Sequence, residues 1–322
     1  MKSEAAALTC AVLVVDKPAG LTSFEVVRRV RRATGIRRVG HGGTLDPLAS
    51  GVLPICLGEA TKLAQFLLGA DKEYEVTIRL GVETDTDDAD GTATARMDAS
   101  AVSEASVREA LGRFRGAIEQ VPPAYSALKR DGRPLYAHAR AGAPLLVAAR
   151  PVFVHGLELT RFEGPAAVDL QVRCSKGTYI RALARDLGRL LGVGAHVTSL
   201  RRTRSGPFSL ADARPLHEVV AAISEDRSSE LPLVTPAAAL RHLATRVVDA
   251  STAHDLRVGR RVPWEAVTTD VTHALVCVID PRGELVAVAE RRTDGLVRTF
   301  RVFGREARPP GQESVAAASS DG

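Results

Sequence analysis

The chain has 322 residues, 45% of them hydrophobic, and 43 lysines and arginines against 38 aspartates and glutamates, a net +5. That length allows two domains, or one with an appendage. No apolar run approaches the roughly 18–20 residues that cross a bilayer, and the opening MKSEAAALTC lacks the basic start and long apolar stretch of a secretory signal, so a cytoplasmic protein without membrane association is expected. Four scattered cysteines with no C-x-x-C, and eight histidines with no ligand spacing, argue against a disulfide framework, a zinc ribbon or any other bound metal.

In chain order, Val12-Leu13-Val14-Val15 reads as a buried strand ended by the turn-rich Asp16-Lys17-Pro18-Ala19-Gly20. Thr22 and Glu25 have capping-box spacing. The helix they open turns Val26, Val27 and Val30 inward, and Gly35 closes it. Residues 39–52 are too glycine-rich for regular structure and read as a loop leading to a helix over about residues 54–68. Residues 74–80 alternate as a strand, and residues 83–91 form an acidic loop. A second capped helix is expected over residues 106–114, with Ser106 and Glu109 as its box. Residues 119–145 form a long excursion exposing Lys129, Arg130, Arg133 and Arg140; loops of that length in compact domains tend to be functional. Residues 168–174 read as a strand and 178–191 as a helix with Ile180, Leu183, Ala184, Leu187 and Leu191 inward. Past Leu210 the chain becomes helical and linker-like. Short β-rich runs then fill residues 241–304, with Pro281-Arg282-Gly283 as a hairpin turn. Residues 305–322 have the composition of a disordered tail.

Charge is uneven along this order. Residues 23–40 carry six arginines (Arg28, Arg29, Arg31, Arg32, Arg37 and Arg38) against Glu25. Residues 171–206 carry eight basic residues against Asp186, and the remainder of the chain is net negative. Two basic segments in an otherwise acidic chain point to a nucleic-acid face more directly than the overall pI does; solvated helix faces are the alternative.

The densest chemical signal is Gly40-His41-Gly42-Gly43-Thr44-Leu45-Asp46-Pro47-Leu48-Ala49-Ser50-Gly51-Val52-Leu53. Its glycines let backbone come close to a ligand, and Pro47 keeps Asp46 extended. By local chemistry alone, a carboxylate fixed beside a histidine serves as nucleophile, general base or helix cap.

This stretch closely resembles the catalytic motif of the TruB family of tRNA pseudouridine synthases, bacterial type. Further ordered segments resemble the family too. Val14 to Ser23 is similar to its opening motif, and Lys72-Glu73-Tyr74-Glu75-Val76 with Thr84 to Gly91 to its tyrosine strand and acidic loop. Pro123 to Lys129 with Leu135-Tyr136 is similar to its RNA-contacting insertion, and Cys174 to Arg181, Gly194 to Val197 and Leu200-Arg201-Arg202 complete the series over residues 12–205. The resemblance implies an α+β fold with a mostly antiparallel mixed central sheet flanked by helices, in a catalytic domain of residues 1–235. A small C-terminal PUA-like β domain over residues 241–304 follows. It implies isomerisation of the T-loop uridine at tRNA position 55 to pseudouridine, without cofactor or metal, by a monomer that needs no protein partner. Asp46 would be the essential aspartate, Arg181 its cation, and Tyr74 would lie against the target base. His41 would stack in the space a flipped uridine vacates, and Tyr179 and Leu200 would line the uracil pocket. Lys17 and Pro18 would support the fold. Gly42, where many relatives carry Thr or Ala, would loosen the loop slightly.

Three rivals bear on this expectation. A non-catalytic RNA-binding or chaperone protein on the same scaffold would tolerate loss of Asp46, Tyr74 and Arg181. A guide-RNA-dependent relative would need partner proteins. A glycosidase would need a second carboxylate beside Asp46, and no matching motif supplies one.

Overall fold

The computed structural model describes residues 8–130, 132–143, 145, 147–268 and 275–304. The expected tail of residues 305–322 lies outside the described residues. The chain divides into two compact units, residues 1–234 and 235–322.

The first unit is built on one mixed sheet. Strand β1 (Cys10–Lys17) pairs antiparallel with β3 (Ser50–Gly58), which carries short β2 (Val39–His41) at its far end. β3 meets β8 (Ala195–Ser205) in a short parallel contact, Ser50 with Arg201 and Gly51 with Arg202. From β8 the sheet continues antiparallel through β4 (Lys72–Leu80), β7 (Ala167–Cys174), β6 (Arg150–Glu163) and β5 (Gly116–Gln120). This is the mixed, mostly antiparallel sheet expected. The parallel contact at Gly51 and Arg202 joins its two halves.

Helix α1 (Ser23–Thr34) forms as the sequence predicts. Thr22 accepts from the Glu25 backbone, the Glu25 carboxylate accepts from that of Thr22, and left-handed Gly35 ends the helix. Its buried Val26, Val27 and Val30 face the core while all six arginines of residues 23–40 are exposed. Helix α2 (Glu104–Leu111) starts earlier than expected, because Ser103 with Ser106 forms the box. Helix α3 (Ile180–Leu190) lies against β8, and α4 (Leu216–Ser224) packs on α1.

Four expectations need correction. The predicted helix over residues 54–68 is strand through Gly58, followed by a short 3-10 turn and a brief helix, Ala64–Leu68. β3 lies between β1 and β8 and every residue from 51 to 57 is buried. A strand covered on both faces shows an unbroken apolar run without period, which periodicity cannot distinguish from a helix. Residues 39–41 and 50–52 are strand, so the glycine loop proper is 42–49. The 119–145 excursion contains a two-stranded hairpin (Lys129–Arg130 with Arg133–Pro134) and a helical turn, Leu135–Arg140. The second unit carries a nine-residue helix, α5 (Ala250–Val258), which the sequence reading had not anticipated.

That second unit is a four-stranded sheet of β9 (Ala244–Val247), β10 (Val276–Ile279), β11 (Leu285–Arg291) and β12 (Val297–Val302), with Trp264 fully buried in its core.

Candidate active site

The loop that carries Asp46 is fixed by its own carbonyls, and five consecutive ones each accept a hydrogen bond. Gly43 accepts from Arg202 Nη2 (3.1 Å) and Thr44 from Arg202 Nη1 (3.0 Å). Leu45 accepts from Ser23 Oγ (3.0 Å), Asp46 from the Ala49 amide (3.1 Å), and Pro47 from the Gly20 amide (2.8 Å) and Lys17 Nζ (3.3 Å). A glycine-rich segment without such partners would sample many conformations; here four of the five carbonyls are held from outside the loop, and that of Asp46 by the loop's own Ala49 amide. The opening motif has its physical reason in these bonds, since Lys17, Gly20 and Ser23 are the groups that grip Leu45 and Pro47 on either side of Asp46. Lys17 is fully buried, also donates to the Pro18 and Leu21 carbonyls, and burial pushes its ammonium down to about 8.

Gly42 does more than loosen the loop. A Cβ there would come within 2.8 Å of Leu67 Cβ and 2.9 Å of its Cδ1, so the glycine leaves room for Leu67.

Arg181, the second residue of α3, donates from Nε to Asp46 Oδ2 at 2.9 Å. The guanidinium is buried while the Asp46 side chain is 34% exposed, so the carboxylate is braced from behind and open in front. The other donors of Arg181 are committed: Nη1 to the Thr86 carbonyl (2.8 Å) and Nη2 to the Tyr125 carbonyl (2.9 Å), with Asp88 Oδ2 3.3 Å from Nη1. The sequence reading missed this second carboxylate. Burial raises the Asp88 pKa against the opposing pull of the Thr86 hydroxyl and Arg181. At 6% side-chain exposure Asp88 has no open path to a substrate, so it does not supply the paired acid of a glycosidase.

One turn further along α3, Arg185 reaches Asp87 (3.2 Å) and the Val121 carbonyl (2.9 Å). Arg181 and Arg185 therefore tie the acidic loop and the start of the insertion to one helix. Their i, i+4 spacing was visible in the sequence, and Arg185 also pairs with the adjacent Asp186 (2.9 Å), but Asp87 and Asp88 lie about a hundred residues away, where no local pattern points. Asp87 itself sits at φ 61, a strained conformation for a non-glycine residue.

Tyr74 lies on β4 opposite Arg202. Burial pushes its phenol up to about 12, with the Arg202 charge acting in the opposite direction. His41 ends β2; its Nδ1 faces the Gly43 amide (3.4 Å), and burial, aided by Arg202, lowers its pKa, which keeps the ring neutral. Tyr179 precedes α3, its backbone clamped by the buried Gln120 amide through bonds of 2.8 and 3.0 Å. Leu200 is a core residue of β8 at 6% exposure, opposite Val76. The structure thus brings Asp46 and Arg181 into contact. It sets Tyr74 and His41 around Arg202 and places Leu200 in the core. Three of the eight basic residues of segment 171–206, Arg181, Arg185 and Arg202, are buried and cannot reach an RNA phosphate. Among the described residues, no group of three or more His, Cys, Asp or Glu side chains is arranged to hold a metal ion.

Residues 31–180 match the family described as TruB family pseudouridylate synthase, N-terminal domain, and residues 181–244 match the tRNA pseudouridylate synthase B C-terminal domain. The chain belongs to the TruB family of pseudouridylate synthases. It is 53% identical over 250 residues to the tRNA pseudouridine synthase B of Aromatoleum aromaticum, covering 77% of this chain and 80% of that protein. It is 46% identical to the one from Cutibacterium acnes over 92% of this chain and 99% of that protein. Among solved structures it resembles a chain of a Cbf5-Nop10-Gar1 complex, with a TM-score of 0.73 and 30% identity over 93% of this chain and 87% of that one.

Proposed function

We propose that this TruB-family chain isomerises the T-loop uridine at position 55 of tRNA to pseudouridine, in the cytoplasm, as a monomer without cofactor or partner protein. The observation that carries this reading is the Asp46–Arg181 pair: a carboxylate held at 2.9 Å by a buried guanidinium and open to solvent on its other side.

The uridine flips out of its loop at a cost of a few kcal/mol. The neutral His41 ring takes its place, offsetting part of that cost through stacking worth about 1–3 kcal/mol. Asp46 then acts at the ribose or the base as the C1′–N1 bond breaks; the ring turns, C5 bonds to C1′, and the C5 proton leaves while N1 takes one up, so that the product is an isomer. Tyr74 lies against the ring, with Tyr179 and Leu200 bordering the pocket. A phenol held protonated at neutral pH accepts the C5 proton only while passing its own on. RNA is held through phosphates by the exposed arginines of α1 and the exposed Lys129, Arg130, Arg133 and Arg140 of the insertion, and the second unit is a PUA-like β domain.

The names of the bacterial relatives at 46–53% identity support tRNA as substrate. The test is the purified chain with a T-arm stem-loop RNA. Conversion of its uridine at position 55, with no added protein, is expected; no conversion, or conversion only with partner proteins, overturns the reading.

A further inference from the structure

Arg202 is 1% exposed; its three donors reach backbone carbonyls, Nε that of Val52 (2.8 Å), Nη1 that of Thr44 and Nη2 that of Gly43, and its guanidinium also interacts with the Tyr74 phenol. Among the described residues no carboxylate lies within ion-pair distance of it. Its neighbours on β8 differ: Arg201 grips Asp16 at 2.7 Å and Arg204 lies 3.5 Å from Glu73. A buried guanidinium with no counter-charge is expensive to keep, and packing alone does not require it. Lys17 and Lys72 are likewise buried and donate to backbone carbonyls, Lys72 Nζ to Leu68 (2.7 Å) and Ala70. Three cations without carboxylate partners in hydrogen-bonding contact therefore lie beneath the loop that presents Asp46 and the strand that presents Tyr74.

We propose that Arg202 is a positioning residue for the reaction at Asp46, fixing the 43–52 backbone by its three donors and supplying through its uncompensated buried charge the positive potential that favours an anionic pyrimidine. The inference rests on the pseudouridine synthase reading above. When the C1′–N1 bond breaks, its electron pair leaves with N1, and the detached ring carries a negative charge spread towards its carbonyl oxygens until C5 bonds to C1′. A fixed charge in a water-poor site stabilises such an ion without reorganising during the step. The planar fork matters as well: two parallel donors span the adjacent Gly43 and Thr44 carbonyls, which an ammonium cannot reproduce. The same charge acts on the groups around it, helping to keep His41 neutral and pulling the Tyr74 phenol back from the value burial alone would give.

The test compares wild type, Arg202→Lys and Arg202→Gln on a T-arm stem-loop, measuring single-turnover rate, RNA affinity and cooperative thermal unfolding. Lys keeps the charge and loses the fork; Gln keeps an amide donor and loses the charge. Wild-type conversion establishes the underlying activity separately. Given that, Arg202→Lys is expected to slow the step roughly tenfold and Arg202→Gln roughly a further tenfold or more, with RNA affinity within about threefold of wild type. Equal rates for the Lys and Gln variants, rates near wild type, or losses confined to RNA affinity would each overturn the proposal. If Arg202→Gln does not fold, Arg202→Lys still decides: a wild-type rate, or a loss seen only in affinity, contradicts the role.

Discussion

At the scale of single residues the site depends on geometry that only one side chain can provide. Arg181 serves Asp46, Thr86 and Tyr125 with three separate nitrogens. Arg181→Lys keeps a charge but cannot make all three bonds in one plane, so turnover should fall roughly a hundredfold while RNA affinity changes less than about threefold. Rapid-quench kinetics beside a filter-binding isotherm checks this; equal losses in both would detach Arg181 from the chemical step. Lys17 allows a pH prediction. Its folded value of about 8 lies below the ordinary 10.5, so between these values the unfolded chain holds a proton that the folded chain has released, and stability rises with pH across that window. Wild type should therefore gain roughly 1–3 kcal/mol relative to Lys17→Met between pH 7.5 and pH 10. Denaturant titrations at both pH values measure the difference; a constant or shrinking gap contradicts the burial of a charged lysine.

At the scale of elements, what could be read from the sequence depended on whether the signal was local. Helix α1 was legible because its cap, buried valines and closing glycine all lie within fourteen residues. β4 was legible from strict alternation. β3 was misread because burial on both of its faces erases its period, and β8 was passed over because Arg201, Arg202 and Arg204 resemble a solvated run. One of those arginines is fully buried, and its carbonyl partners lie about 150 residues earlier, in positions no spacing rule indicates. For the site, the resemblance singled out Asp46 and Arg181, but the bracing of the loop by Lys17, Ser23 and Arg202 needed coordinates. Gly51 is the point where β3 meets β8. It sits at φ 103, and an added Cβ would lie 2.2 Å from the Arg202 carbonyl. Gly51→Ala should cost at least about 2–3 kcal/mol, from backbone strain plus the clash, and lower activity with it. A thermal melt and an activity assay within error of wild type would mean that the two halves of the sheet do not join as described.

At the scale of the whole molecule, total charge overstates the RNA-facing charge. Arg181, Arg185 and Arg202 are spent inside the protein, whereas the six arginines of residues 23–40 are exposed, with Arg38 paired to Glu59 at 2.7 Å. Affinity for a T-arm stem-loop should fall steeply with salt. Arg32→Ala should reduce the slope of log affinity against log salt by about one without changing the melting temperature. An unchanged slope would remove α1 from the RNA surface.

On the proposed reading, the carboxylate of Asp46 performs the isomerisation from a loop held by its backbone carbonyls. Asp46→Asn preserves size and the loop's backbone bonds and removes the charge that Arg181 braces. Pseudouridine in a T-arm stem-loop should fall by at least about a thousandfold with RNA binding kept within a few-fold, whereas conversion at the wild-type rate would show that the chemistry lies elsewhere.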